Sequence, residues 1–375
     1  MHPPRHDVVI AGAGIVGLAH AYHAHRRGLS VAVLDRSAAT TGSSVQNFGH
    51  CCVTAQSGRA LEFARAGRPH WLELARRAGF WHRQQGTLAV ARAEDEWQVL
   101  REFAELREAD EIRLLDPDEV TARAPIADPA LRGGALLPWC FQVDPRSAAP
   151  AIAAWLVEQG VAFHRDTAVL GVESGSVRTT RGTFTADHVV VALNHDVGDL
   201  FPELADAYRV QRCRLHMLRA DLGAALPLPV FTGWSMVRYS GFRACPSTTA
   251  LRDRLHAEHP ELAGFDLNQM YTGLPDGSTI VGDTHARDRA APPFQDERGF
   301  EVLLAETERL FGRAPRVRER WQGVYASAPE HEFMVERPLP GVRVVTVTTG
   351  IGMTTSMGLA ESVLDQIASE QEETA

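Results

Sequence analysis

The chain has 375 residues, 45% hydrophobic and 23% charged, the make-up of a globular protein long enough for two domains. Its net charge of -9 argues against a nucleic-acid surface, and no apolar run approaches the length of a membrane span. All 38 basic residues are arginine, which excludes a Schiff-base lysine and leaves arginine, histidine, hydroxyl or backbone groups to hold any anion.

The first segment, Asp7 to Asp35, sets the frame. An apolar run, Val8 to Ala11, reads as a buried strand. Gly12, Gly14 and Gly17 follow at G-x-G-x-x-G spacing, and an alanine-rich helical stretch runs to Arg27, closed by Gly28. A second apolar run, Val31 to Leu34, ends on Asp35. Gly12 permits the tight turn, Gly14 lets backbone approach a pyrophosphate, and Gly17 lets the helix pack on the strand. The helix N-terminus offers free N–H groups to phosphates, and Asp35 is placed for the ribose hydroxyls. A dinucleotide site is expected here.

Arg36 to Gly58 is rich in small and hydroxyl residues and poor in helix formers, suited to lying along a flat cofactor. Helices are expected over Arg59–Ala78, Glu94–Ala109, Leu114–Ala124, Ala148–Gln159, Phe300–Phe311 and Leu359–Ile367. Strands are expected over Gly86–Ala91, Gly133–Trp139, Val169–Val172, Val177–Thr179, Thr183–Ala186 and Val189–Leu193. Tyr208 to Ala220 alternates, with Val210, Arg212, Arg214 and His216 on one face and Gln211, Cys213, Leu215 and Met217 on the other. It reads as part of a second, antiparallel sheet together with Gly233–Phe242, a hairpin around Pro275-Asp276-Gly277, and Arg318–Ala326. Val344–Thr348 reads as a further buried strand.

The fold class is therefore α/β (α+β overall), a Rossmann-like domain interleaved with an antiparallel-sheet domain. The expected boundaries are 1–85, 145–207 and 322–375 for the nucleotide domain and 86–144 and 208–321 for the substrate domain. Five cysteines (Cys51, Cys52, Cys140, Cys213, Cys245) form an odd set with no C-x-x-C, and the N-terminus has no signal-peptide pattern, so reduced thiols in a cytoplasmic protein are expected. No metal-ligand set or nucleophilic triad is evident.

Three motifs in order resemble the D-amino-acid oxidase, glycine oxidase and sarcosine oxidase superfamily of FAD enzymes. They are GAGIVG with VLD at the start, Val143-Asp144-Pro145, and TGIGMT before the last helix. Ser44–Gly49, Arg243–Ser247, Gly282–His285 and Trp321–Pro329 look like a branch proposed to oxidise aminophosphonates. The resemblance implies FAD with its pyrophosphate on Gly12, Gly14, Ile15, Val16 and Gly17 and its adenosine ribose on Asp35 and Arg36. It implies further cofactor contacts from Ser43, Ser44, Asn47, Phe48, Gly49, Ala168, Val169, Ala192, Leu193, Asn194 and Gly323. Gly350, Gly352, Met353 and Thr354 open the final helix, whose positive end would stabilise charge on reduced flavin.

One departure stands out. Glycine and D-amino-acid oxidases place an arginine after W-x-G-L to clamp the substrate carboxylate, whereas Trp321-Gln322-Gly323-Val324 is followed here by Tyr325. The implied substrate is a small amine carrying another anion, an aminophosphonate or its N-methyl form. The implied reaction passes hydride to flavin, hydrolyses the imine to an aldehyde, and reoxidises the flavin with O2 or another acceptor. The candidate catalytic residues are His50, Tyr325 and His285, and the candidate substrate-binding residues are Arg243, Tyr239, Trp321, Arg212 and Arg214. His50 reads either as the acceptor of an ammonium proton or as a packed residue bonded to water. Cys51 and Cys52 read as small buried residues, or as a covalent flavin link. The competing functions are an amino-acid or hydroxy-acid oxidase or dehydrogenase, an NAD(P)H-dependent flavin hydroxylase, and a flavoprotein without catalysis.

Overall fold

The computed structural model describes residues 5–374. An eight-stranded sheet forms its first layer. Strand His6–Ala11 sits between Val31–Leu34 and Gly182–Val191, parallel to both, with Val8 opposite Val31 and Ala11 opposite Val191. Ala162–His164 and Val342–Val347 extend the parallel part on either side. Val8–Ala11, Val31–Leu34 and Val189–Val191 are apolar without alternation because both faces are covered. Helices Ile15–Arg26, Gly58–Ala78, Pro145–Glu158 and Gly352–Thr374 cover one face, with Tyr22, Trp71, Ile152 and Leu364 in the shared core.

The second layer is a nine-stranded sheet built around the long antiparallel pair Gln211–Asp221 and Arg316–Ser327. The expected alternation holds: Cys213, Leu215 and Met217 are buried. The 316–327 strand belongs to this sheet along its whole length. Phe103, Phe231, Trp234, Phe242 and Tyr271 fill its core, under helices Glu94–Glu105, Thr248–Glu258 and Glu297–Phe311. A third, three-stranded sheet pairs His50–Cys51 and His82–Arg83 with Phe141–Val143.

Several expectations need correction. Gly233–Phe242 is not a strand; it forms a helical turn, Gly233–Met236, and a 3-10 turn, Ser240–Ala244. Gly233 through Val237 are all buried, so no solvent face exists to give a two-residue period. Leu114–Ala124 divides into a strand, Arg113–Leu115, and a helix, Pro117–Arg123, opened by a capping box of Asp116 and Glu119. The strands expected over 183–186 and 189–193 are one, Gly182–Val191. Its first half pairs antiparallel with Ser176–Thr179 and its second half parallel with His6–Ala11. The last helix starts at Gly352, within the stretch Gly350–Thr354 expected to open it, and so includes the seven residues before Leu359. Among the described residues no helix is long and apolar enough to cross a membrane.

Candidate active site

A cavity of about 510 Å³ is lined by residues of both large sheets. One end is made by the glycine turn. Gly12 has φ +105°, and a Cβ there would meet the Ala192 carbonyl oxygen at 2.5 Å, so the turn requires glycine. Gly17 packs against the Gly12 carbonyl rather than facing the cavity, as helix packing demands. Asp35 closes the strand Val31–Leu34 and accepts hydrogen bonds from Ala13 N (2.7 Å) and Ser37 N (2.8 Å). Ser44 Oγ accepts from Ile15 N at 2.8 Å and ties the following loop to the helix start.

That loop is fixed by its own polar groups. Asn47 donates to Ser43 O (2.7 Å) and accepts from Gly49 N (2.6 Å). Asn194 donates to Ser43 Oγ (2.8 Å) and accepts from Ala326 N (2.8 Å), joining the first sheet to the second. Gly350, Gly352, Met353 and Thr354, at the start of the last helix, line the same cavity. Thr354 Oγ1 accepts from Cys52 N at 3.1 Å.

Of the cofactor residues expected from sequence, all but Gly17 and Gly49 line the cavity. Gly49 lies behind it, where a Cβ would meet the Val143 carbonyl oxygen at 2.0 Å. The set suits FAD: a Cβ-free turn and a helix N-terminus for the pyrophosphate, a carboxylate at the ribose position, and a second helix N-terminus at the far part of the cavity.

The opposite end is lined by His50, Arg238, Tyr239, Arg243, Asn268, Met270, Asp283, His285 and Tyr325. Arg243 is exposed, whereas Asp283 and His285 are buried. Asn268 holds Asp283 in three ways. Its Nδ2 donates to Asp283 Oδ1 at 2.7 Å, and the two residues exchange backbone hydrogen bonds at 2.8 Å each. Burial pushes the Asp283 carboxyl up to about 7, against the Arg238 charge and the Asn268 bond, which pull it down. Burial and the Arg238 charge push His285 well below the usual imidazole range. Its Nδ1 lies 2.9 Å from the Asp266 carbonyl oxygen, an acceptor only, so Nδ1 carries the proton. Asp266 pairs through its carboxylate with Arg238 and, at 2.7 Å, with Arg287. Two guanidinium groups against the Asp266 carboxylate leave this wall with surplus positive charge while Asp283 is protonated.

Three substrate-binding candidates lie off the cavity. Arg212 pairs with Asp196 at 2.9 Å, and Arg214 donates to the carbonyl oxygens of Pro292 (3.4 Å) and Phe294 (3.3 Å). Both are half-buried on the face of their strand opposite Cys213 and Leu215. Trp321 donates from Nε1 to Gln46 O at 3.2 Å and, like Phe48, packs against the small core of Leu215, Met217 and Ile280, supporting the flavin-side loop from behind. His50 lines the cavity, but its Nε2 is 2.7 Å from Thr87 Oγ1 and its Nδ1 is buried, so no ring nitrogen is open to a substrate proton. Arg238, Asn268 and Asp283 escaped the sequence reading. Asp283 stands inside the Gly282–His285 stretch used for the resemblance, and Arg238 adjoins Tyr239.

The family model described as FAD dependent oxidoreductase (DAO) matches residues 7–366. The chain is 29% identical over 213 residues to the glycine oxidase of Bacillus licheniformis, a match spanning 53% of this chain and 57% of that enzyme. It is 26% identical to the D-amino acid dehydrogenase of Cereibacter sphaeroides, over 96% of this chain and 91% of that one. Among solved structures, glycine oxidase from Geobacillus kaustophilus superposes with a TM-score of 0.78 at 19% identity, over 98% of this chain and 95% of that one. L-Proline dehydrogenase from P. horikoshii superposes with a TM-score of 0.80 at 16% identity, over 98% and 94%. The likeness to these structures establishes a shared fold, and the family match over nearly the whole chain establishes that this protein belongs to the FAD dependent oxidoreductase family and takes FAD as its cofactor.

Proposed function

We propose that the chain oxidises a small amine carrying an anionic group, an aminophosphonate or its N-methyl form, to an aldehyde, with O2 or another acceptor taking the electrons. The observation that carries this reading is the pairing of Tyr325, where oxidases of simple amino acids place a carboxylate-clamping arginine, with a cationic wall around Arg238 elsewhere in the cavity. FAD supplies the hydride acceptor. The chain's own groups do the rest. Gly12 to Val16 and Asp35 hold the dinucleotide, and the helix starting at Gly352 presents its positive end. Arg238 and Arg243 hold the anion. Asp283, with a carboxyl near neutrality, takes the ammonium proton, because only the free amine releases hydride readily. Tyr239, Met270 and Tyr325 exclude water around the reacting carbon.

A second reading is an amino-acid oxidase or dehydrogenase in which Arg238 holds a carboxylate. The relatives named glycine oxidase and D-amino acid dehydrogenase favour it. Turnover separates the two. The aldehyde formed from 2-aminoethylphosphonate and its N-methyl derivative is trapped and its rate compared with that from glycine, sarcosine and D-alanine. Higher kcat/KM for the phosphonates is expected; much faster turnover of the carboxylates would replace this reading with the second.

A further inference from the structure

Behind the cavity wall, the three-stranded sheet assembles a cluster that amine oxidation does not use. His50 pairs with Gln142 and Cys51 with Phe141, and the same register sets Cys52 opposite Cys140. A ring nitrogen of His50, Cys52 Sγ and Cys140 Sγ lie within 4.8 Å of one another, and the two sulfurs are 3.9 Å apart. Two thiolates on a tetrahedral zinc, each about 2.3 Å from the metal, stand roughly 3.8 Å apart.

The imidazole has the setting of a ligand. Its Nε2 is tied at 2.7 Å to the hydroxyl of the fully buried Thr87, the kind of outer partner that orients a metal-bound histidine. Its Nδ1 is buried away from any oxygen or nitrogen partner, and the imidazole's other neighbour is the Cys140 thiol, a contact that a shared cation would replace. Cys52 and Cys140 are likewise buried.

We propose that His50, Cys52 and Cys140 bind a zinc-class divalent cation. Two thiols lose their protons to solvent as two sulfur–metal bonds form, and two thiolates with neutral imidazole cancel the charge of the cation, so the buried site is neutral. The Tyr239 side chain lies beside Cys52, and a neutral water completes the tetrahedron without changing the charge. Once bound, the cation clips the flavin-side loop to strand Phe141–Val143. The cluster of His23, His70 and Glu361 has no such claim: Arg26 Nη1 donates to His70 Nδ1 at 2.8 Å, so the ring proton sits on Nε2 and is spent on Glu361 at 3.2 Å.

The test uses the FAD-loaded protein incubated with Zn2+ and then freed of loosely held metal by a non-thiol chelator and gel filtration. Metal analysis is expected to give about one zinc per chain. Cys52→Ser and Cys140→Ser are each expected to lose it, and Cys245→Ser, at a buried thiol in the second sheet's core, to keep it. Co2+ in place of zinc gives a readout on the unmutated protein: intense ligand-field bands to the red of the flavin absorption, as tetrahedral thiolate coordination requires. Thiols are then counted after unfolding without reductant. Five free thiols and no retained metal would overturn the site. Three free thiols, two fewer than the five cysteines, with no metal would also overturn it and assign the pair to a disulfide.

Discussion

Asp283 Oδ2 and His285 Nε2 face each other at 3.5 Å in the cavity wall, both side chains buried. With the His285 proton on Nδ1, its Nε2 offers a lone pair to Asp283. Burial favours the neutral form of both, raising the acid and lowering the base. With the Asp283 carboxyl pushed up to about 7 by burial, the proposed proton acceptor changes charge within the physiological range.

Flavin reduction should therefore accelerate as pH rises through about 7, because only the ionised Asp283 accepts the ammonium proton. Asp283→Asn is expected to slow reduction by roughly 10²- to 10⁴-fold and to abolish that limb of the profile. Stopped-flow reduction across pH is the measurement. An unchanged limb in the variant would place the titrating group elsewhere.

The same carboxyl makes the opposite prediction for folding. Its folded pKa lies above the unfolded value, so the folded chain binds the proton more tightly. The protonated form is accommodated at low pH, and stability falls as pH rises from about 4 to about 7, then levels. Denaturant melts of wild type and Asp283→Asn should diverge over this window, with the variant flatter.

Arg238→Gln should weaken binding of an anionic amine by about 10- to 150-fold, the weight of a charge-assisted hydrogen bond of roughly 1.5–3 kcal/mol. Arg212→Gln, whose guanidinium pairs with Asp196 and is not part of the cavity lining, should leave that affinity unchanged. Titration monitored by the flavin spectrum compares the two. Equal losses would remove the distinction between them.

Gly12→Ala places a Cβ 2.5 Å from the Ala192 carbonyl oxygen at a φ of +105°. The variant is expected to purify with a greatly reduced flavin-to-protein absorbance ratio. Normal flavin content would mean that the turn tolerates a side chain.

The nucleotide end of the site was legible because its signals are local. Gly12, Gly14, Gly17 and Asp35 fall in one strand–helix–strand unit, and the last helix announces itself through Gly350 and Gly352. At the substrate end His50, Tyr239, Arg243, His285 and Tyr325 were legible, but Arg238, Asn268 and Asp283 were not, because only the fold brings these distant segments to one wall. Arg212 and Arg214 looked apt on a strand, but alternation sends them to the opposite face once Cys213 and Leu215 are buried. Cys140 lies 88 residues from Cys52, so no spacing rule could pair them. Gly233–Phe242 misled through its aromatic content: Trp234 and Phe242 are buried, but in turns rather than in a pleat.

The most direct measurement is anaerobic. The FAD-loaded protein is mixed with 2-aminoethylphosphonate, its N-methyl and hydroxy derivatives, glycine, sarcosine and D-alanine, and the oxidised-flavin absorbance is followed. Bleaching by an aminophosphonate but not by the carboxylates is the predicted result and gives the tyrosine at position 325 its meaning. Bleaching by the amino acids alone would contradict the account and return the cavity to carboxylate chemistry.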